Sequence, residues 1–89
     1  MDIIKEYEKR AKDFTMMYGV SNNHIILIVS SVMMTRDGEG FPGGSFVQSV
    51  VNNDLYGAVS RADSVCLKHL KTIVAANQYC TLNPSKYEY

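Results

Sequence analysis

HIILIVSSVMM, residues 24–34, is the stretch on which the fold class turns. Its β-branched residues favour a strand, whereas its length favours a buried helix. A strand needs partners, and no second strand-like run lies nearby. The expectation is a helix from about Asn23 to Thr35, with a strand over 24–34 as the alternative. Such a helix is apolar nearly all round, which puts it at the centre of the domain or in a subunit interface. Ser21, Asn22 and Asn23 ahead of it offer N-caps.

Upstream, Ile3, Ile4, Tyr7, Ala11, Phe14 and Tyr18 recur at spacings of three and four, which predicts an amphipathic helix over Asp2 to Tyr18. Its wet side carries Lys5, Glu6, Glu8, Lys9, Lys12 and Asp13, and Gly19 is a plausible C-cap. Downstream, RDGEGFPGG (36–44) reads as a Gly/Pro loop. Ser45 then opens a third helix with Phe46, Val50, Val51, Leu55 and Val59 on one face. Asn52, Asn53 and Asp54 interrupt that pattern and are expected to cap a kink or a restart. Asp63 or Ser64 caps a last helix to about Tyr79, whose inner face is Cys66, Leu67, Leu70, Ile73 and Val74. Pro84 ends any helix, and residues 81–89 form a polar, loose tail.

The chain is thus expected to be all-α: one small domain over 1–89 with three to four helices, the first within 1–20. Its 89 residues suffice for one domain and not two, and a domain this small gains from self-association, so a homo-oligomer is expected. A hydrophobic content of 46% excludes a disordered tail, and zero net charge argues against a DNA or RNA binder. The longest apolar run, Ile25 to Val29, is too short to cross a membrane. Cys66 and Cys80, if on one helix, stand on the order of 20 Å apart, beyond disulfide reach. With no signal peptide recognised before them, they read as reduced thiols in a cytosolic protein.

The candidate chemistry centres on GFPGGSFVQSVVNND, residues 40–54. Gly43 and Gly44 free the backbone, Ser45 is a favoured N-cap, and a helix start can hold a phosphate; the plain alternative is an ordinary capped loop. No lysine follows as in a P-loop, and GxGxxG is absent. Arg61 can clamp a phosphate or stack on a base, or form a junction salt bridge to Asp54 or Asp63. Asn53 and Asp54 can read polar ligand edges or cap the chain. Tyr7, Phe46 and Tyr56 can stack on a base, although Tyr7 and Phe46 also fit a core. Lys5, Lys9, Arg10 and Lys12 form a cationic strip interleaved with acids. His24 and His69 with the two cysteines match no standard zinc spacing, so no metal or other cofactor is expected. A Cys66–His69 pair lacks an orienting partner, and no case for an enzyme emerges.

The run Pro42-Gly43-Gly44, Phe46, Val50, Asn53-Asp54-Leu55, Ala58, Arg61-Ala62-Asp63 fits the pattern PGGxFVxxVxxNDLxxAVxRAD. In it the chain resembles a group of small tailed-phage proteins, over roughly residues 40–75, with weaker similarity around His24. That group commonly ends in an aromatic-rich Gly-Ser-Pro segment, where this chain has CTLNPSKYEY. Ser60, Arg61, Ser64, Leu67 and Leu70 also resemble the last-helix start of phage cyclic-nucleotide sponges that blunt CBASS and Thoeris immunity. Those proteins look like small helical hairpins assembled into oligomers.

The resemblance implies a phage anti-defence protein in the cytoplasm of the infected bacterial cell. It would sequester a cyclic dinucleotide, cyclic trinucleotide or cyclic ADP-ribose signal without cleaving it. Phosphate would meet Arg61 and the Gly43-Gly44-Ser45 helix start, with Phe46, Asn53, Asp54, Tyr7 and Lys5 as further ligand contacts. The alternative is an inhibitor or adaptor that docks on a host defence protein through the second helix and the 36–44 loop. A purely structural phage component is less attractive for so short a chain.

Overall fold

The computed structural model describes residues 3–40 and 43–82, with side chains as far as residue 78. Residues 24–34 are helical, and no strand occurs among the described residues. The elements are α1 (Ile3–Met17), α2 (Asn23–Asp37), α3 (Ser45–Val51), α4 (Leu55–Arg61), α5 (Ser64–Lys68) and α6 (Leu70–Leu82).

Local chemistry fixes both ends of α2. The Asn22 side chain accepts from the backbone N–H of His24 at 2.8 Å and of Ile25 at 3.3 Å, which satisfies two otherwise orphaned donors. Gly38 ends the helix with φ 73°, and the N–H groups of Gly38 and Glu39 return to the carbonyls of Thr35 and Met34. Between these caps Ile25, Val29, Val32 and Met33 are buried, as the run's apolar character requires. Helices α1, α3 and α6 all pack on α2, α4 packs on α3, and α5 lies against α6. The expected central helix is therefore the hub of the domain, with Leu27 exposed on its outer side.

Helix α1 buries Tyr7, Ala11, Phe14 and Thr15. Ile3, Ile4 and Tyr18, expected on the same inner face, are exposed. They occupy the two ends of the stripe, so only its middle turns are covered. Tyr18 keeps an aromatic contact with Phe14, the ring centroids lying 4.9 Å apart. Gly19 ends the helix at φ 71°, with Val20 N–H reaching Thr15 O at 2.9 Å.

The kink or restart expected at Asn52–Asp54 is a restart, and the placements around and beyond it change. The helix opened at Ser45 stops at Val51, because Asn53 takes a left-handed φ of 60° and Asp54 N–H returns to Ser49 O at 2.8 Å. Asparagine tolerates that conformation better than most residues. The chain restarts as α4, capped by Asp54 Oδ1, which accepts from Gly57 N–H at 3.0 Å. This break turns Leu55 and Val59 out of the α3 stripe into solvent, and Val47 fills the core position instead. The last helix also divides, at His69, and Leu67 of α5 is exposed rather than inward. Helix α6 runs to Leu82, which takes in the first two residues of the supposed tail; 83–89 lie outside the described residues.

At Gly43 the requirement is room and not unusual backbone. A methyl group there would meet Ser31 Oγ at 2.5 Å and Val47 Cγ1 at 2.6 Å, where α2 and α3 approach. Gly43→Ala is expected to destabilise the fold by about 1–3 kcal/mol through overpacking. Chemical denaturation checks it, and an unchanged midpoint would refute the close approach.

Candidate binding surface

Helix α4 touches the rest of the domain through Gly57 and Ala58, which are buried. Its other apolar side chains face water: Leu55 is 65%, Tyr56 84% and Val59 43% exposed. Beside them a groove with about 230 Å³ of free space is lined by Ser49, Val50, Asn53, Asp54, Leu55, Ala58 and Val74. Its walls thus come from α3, α4 and α6. Val50, Leu55, Ala58 and Val74 make it apolar, while Asn53, Asp54 and Ser49 supply polar atoms at its edge. Arg61 Nη1 donates to Ser49 Oγ at 3.3 Å, which brings the guanidinium to the same edge.

The expected ligand residues are only partly gathered. Asn53, Asp54 and Arg61 share one region, although Asn53 and Asp54 also end α3 and begin α4. Arg61 bonds Ser49 rather than forming the junction pair with Asp54 or Asp63 that the sequence favoured. Ser45 is the first residue of α3 and not its cap; the cap is Gly44, which has no side chain to accept a bond. Gly43 N–H donates to Thr35 Oγ1 at 2.9 Å, and Gly43 O accepts from Gln48 Nε2 at 2.7 Å. The N–H and carbonyl of Gly43 are thus engaged within the protein, just ahead of a seven-residue helix. Phe46 is half-buried against the core. Pro42 lies outside the described residues.

On α1, Tyr7 is buried and its hydroxyl donates to Asp37 Oδ2 at 2.7 Å. Burial, reinforced by the Asp37 carboxylate, pushes its pKa up to about 12. The Arg10 guanidinium lies 5.0 Å from the ring centroid. Tyr7 therefore ties α1 to the end of α2 and offers no face to a base. Lys5 is exposed in a shallow depression with Glu6, Lys9, Arg10 and Asp13. Since α1 packs on α2 and α4 packs on α3, Lys5 and Tyr7 belong to a different pairing from Asn53, Asp54 and Arg61.

Cys66 faces His24, with Sγ 3.9 Å from Nε2. Burial, with Asp63 nearby, pushes the thiol up to about 11, so at neutral pH it is a poor nucleophile. Asp63 Oδ1 accepts from Cys66 N–H at 2.7 Å, and its Oδ2 lies 3.2 Å from His24 Nε2. That backbone bond, with help from His24, holds the Asp63 carboxyl below its usual range. The cap spacing Asp63-x-x-Cys66 is visible in the sequence, whereas the approach of His24 depends on the packing of α2 and is not.

Fold and site together define a small all-helical protein with an apolar groove and an exposed apolar strip on one short helix. Compared with models of protein families, with curated proteins and with solved structures, the chain matches none. No helix among the described residues is long and apolar enough to cross a membrane.

Proposed function

We propose that this protein works by binding and not by turnover, and that the α4 face docks on a host protein. In the setting that the tailed-phage resemblance implies, the partner belongs to a bacterial defence system. The observation that carries this reading is the exposed Leu55–Tyr56–Val59 strip bordering an apolar groove. Exposed apolar area rimmed by polar groups is characteristic of interaction sites. Leu55 and Tyr56 would serve as anchors, each gaining about 1.5–3 kcal/mol on full burial. An amphipathic helix of the partner suits such a groove, with its apolar side chains entering and its polar flank meeting Asn53, Asp54 and Arg61. This moves the docking face from the second helix to α4, because three helices pack on α2 and Leu27 is its one exposed apolar side chain.

A second reading keeps the nucleotide sponge. Asn53, Asp54 and Arg61 at one edge of an apolar groove favour it, since a base can sit on apolar walls while Arg61 meets phosphate. At about 230 Å³ the space falls below the ~300–1,000 Å³ of ordinary small-molecule pockets, so a cyclic dinucleotide would require a second copy to close the site.

One pair of measurements separates the readings. Docking predicts that Leu55→Glu/Tyr56→Glu abolishes capture of a partner recovered by the unmodified chain, with helix content unchanged. It also predicts silence in calorimetric titrations with cyclic dinucleotides, cyclic trinucleotides and cyclic ADP-ribose variants. Tight nucleotide binding that Arg61→Ala weakens would replace docking with sequestration.

A further inference from the structure

We propose that His24, Asp63 and Cys66 form a zinc site with three protein ligands and one open position. His24 Nε2, Asp63 Oδ2 and Cys66 Sγ converge from two distant parts of the chain: the first turn of α2 and the α4–α5 junction. His24 Nε2 lies 3.2 Å from Asp63 Oδ2 and 3.9 Å from Cys66 Sγ, and the three donor groups all fall within 4.8 Å of one another. Tetrahedral zinc with bonds of about 2.0–2.1 Å to nitrogen and oxygen and about 2.3 Å to sulfur requires edges of roughly 3.3 Å for N···O and 3.6 Å for N···S. The nitrogen–oxygen edge already has that length, the nitrogen–sulfur edge closes with a shift of a few tenths of an ångström, and the oxygen–sulfur pair, within 4.8 Å, closes by a turn of the exposed Asp63 side chain.

The donors are also held in place. Asp63 Oδ1 is fixed by the Cys66 N–H, which leaves Oδ2 directed at the histidine. His24 sits in a turn clamped by the Asn22 side chain. Cys66 is buried beneath them, while His24 and Asp63 are about half exposed, so a fourth ligand enters from the solvent side. The plain alternative, a water-exposed His–Asp pair over an inert cysteine, is weak and does not need the thiol to face the same nitrogen. A mixed nitrogen, oxygen and sulfur set selects zinc or cobalt over magnesium or calcium, which take oxygen donors. On uptake the Cys66 S–H bond breaks, the sulfur lone pair goes to the metal, and one proton leaves to solvent. No oxidant or reductant is involved. Bound metal would tie the start of α2 to the junction that follows α4.

Cobalt titration of the chelator-treated full chain under reducing conditions tests this, because the thiolate–Co²⁺ charge-transfer band reports a Cys ligand. The expected result is one Co²⁺ per chain, with that band and tetrahedral visible bands, displaced by one equivalent of Zn²⁺. His24→Gln and Cys66→Ser should abolish the band. Asp63→Asn, which keeps the cap on α5, should weaken binding at least tenfold, and Cys80→Ser should leave it intact. Absence of the band in the unmodified chain, or its survival in both His24→Gln and Cys66→Ser, would overturn the site. Since His24→Gln changes an exposed side chain, loss of fold cannot mimic the expected outcome if helix content is recorded alongside.

Discussion

Ile73→Ala is expected to lower stability by about 3 kcal/mol, whereas Leu55→Ala changes it by less than about 0.5 kcal/mol. Ile73 is wholly buried and Leu55 is 65% exposed, so truncation leaves a cavity in one case and removes wetted surface in the other. Small domains have marginal stability, of about 5–15 kcal/mol, so the first change removes a large share and the second almost none. Urea denaturation of both variants measures the difference as midpoint shifts at constant slope. Equal losses at the two positions would mean that α4 lies on the core after all.

High pH should expose the Tyr7–Asp37 clamp. Tyr7 has a folded pKa of about 12, above the value of about 10 for a free tyrosine. Its contribution is fully present below pH about 10, because both states then hold the proton. Above that the unfolded chain loses its proton first, so stability falls as pH rises through about 12. The shift corresponds to roughly 3 kcal/mol over this window. Tyr7→Phe lacks the titrating group and should fall less steeply over the same window. At neutral pH it should already be less stable by about 1–2 kcal/mol, through the lost bond to a carboxylate. Parallel pH profiles for the two proteins would show that Tyr7 does not titrate as described.

The contrast between Ile73 and Leu55 also shows where sequence stops informing. Both are apolar residues at helical spacing, and a helix continued from Ser45 would bury Leu55 with Val50. What separates them is one backbone event, the left-handed Asn53 followed by the Asp54 cap. The composition of Asn52-Asn53-Asp54 announces a break, but the new direction of the chain is a tertiary property. Helix rather than strand over 24–34 was legible from length, and Asn22 was among the N-caps on offer, whereas the helix runs two residues past the expected Thr35, to the Gly38 cap. The break at His69 had no glycine or proline to signal it. At the candidate site, Asn53, Asp54 and Arg61 were legible because they are close in sequence. At Gly43, sequence does not reveal that Thr35 and Gln48 bond its N–H and its carbonyl.

Contact between the α4 face and a host protein can be read out directly in cells. It is tested most directly by placing a photo-crosslinking phenylalanine analogue at position 56 in bacterial cells, with position 12 on α1 as the control. Tyr56 is 84% exposed, so the replacement leaves the fold intact. The expected result is a discrete adduct with one host protein from position 56, none from position 12, and loss of the adduct with Leu55→Glu. No adduct from position 56, the same adducts from both positions, or only a covalent dimer of this chain would contradict it.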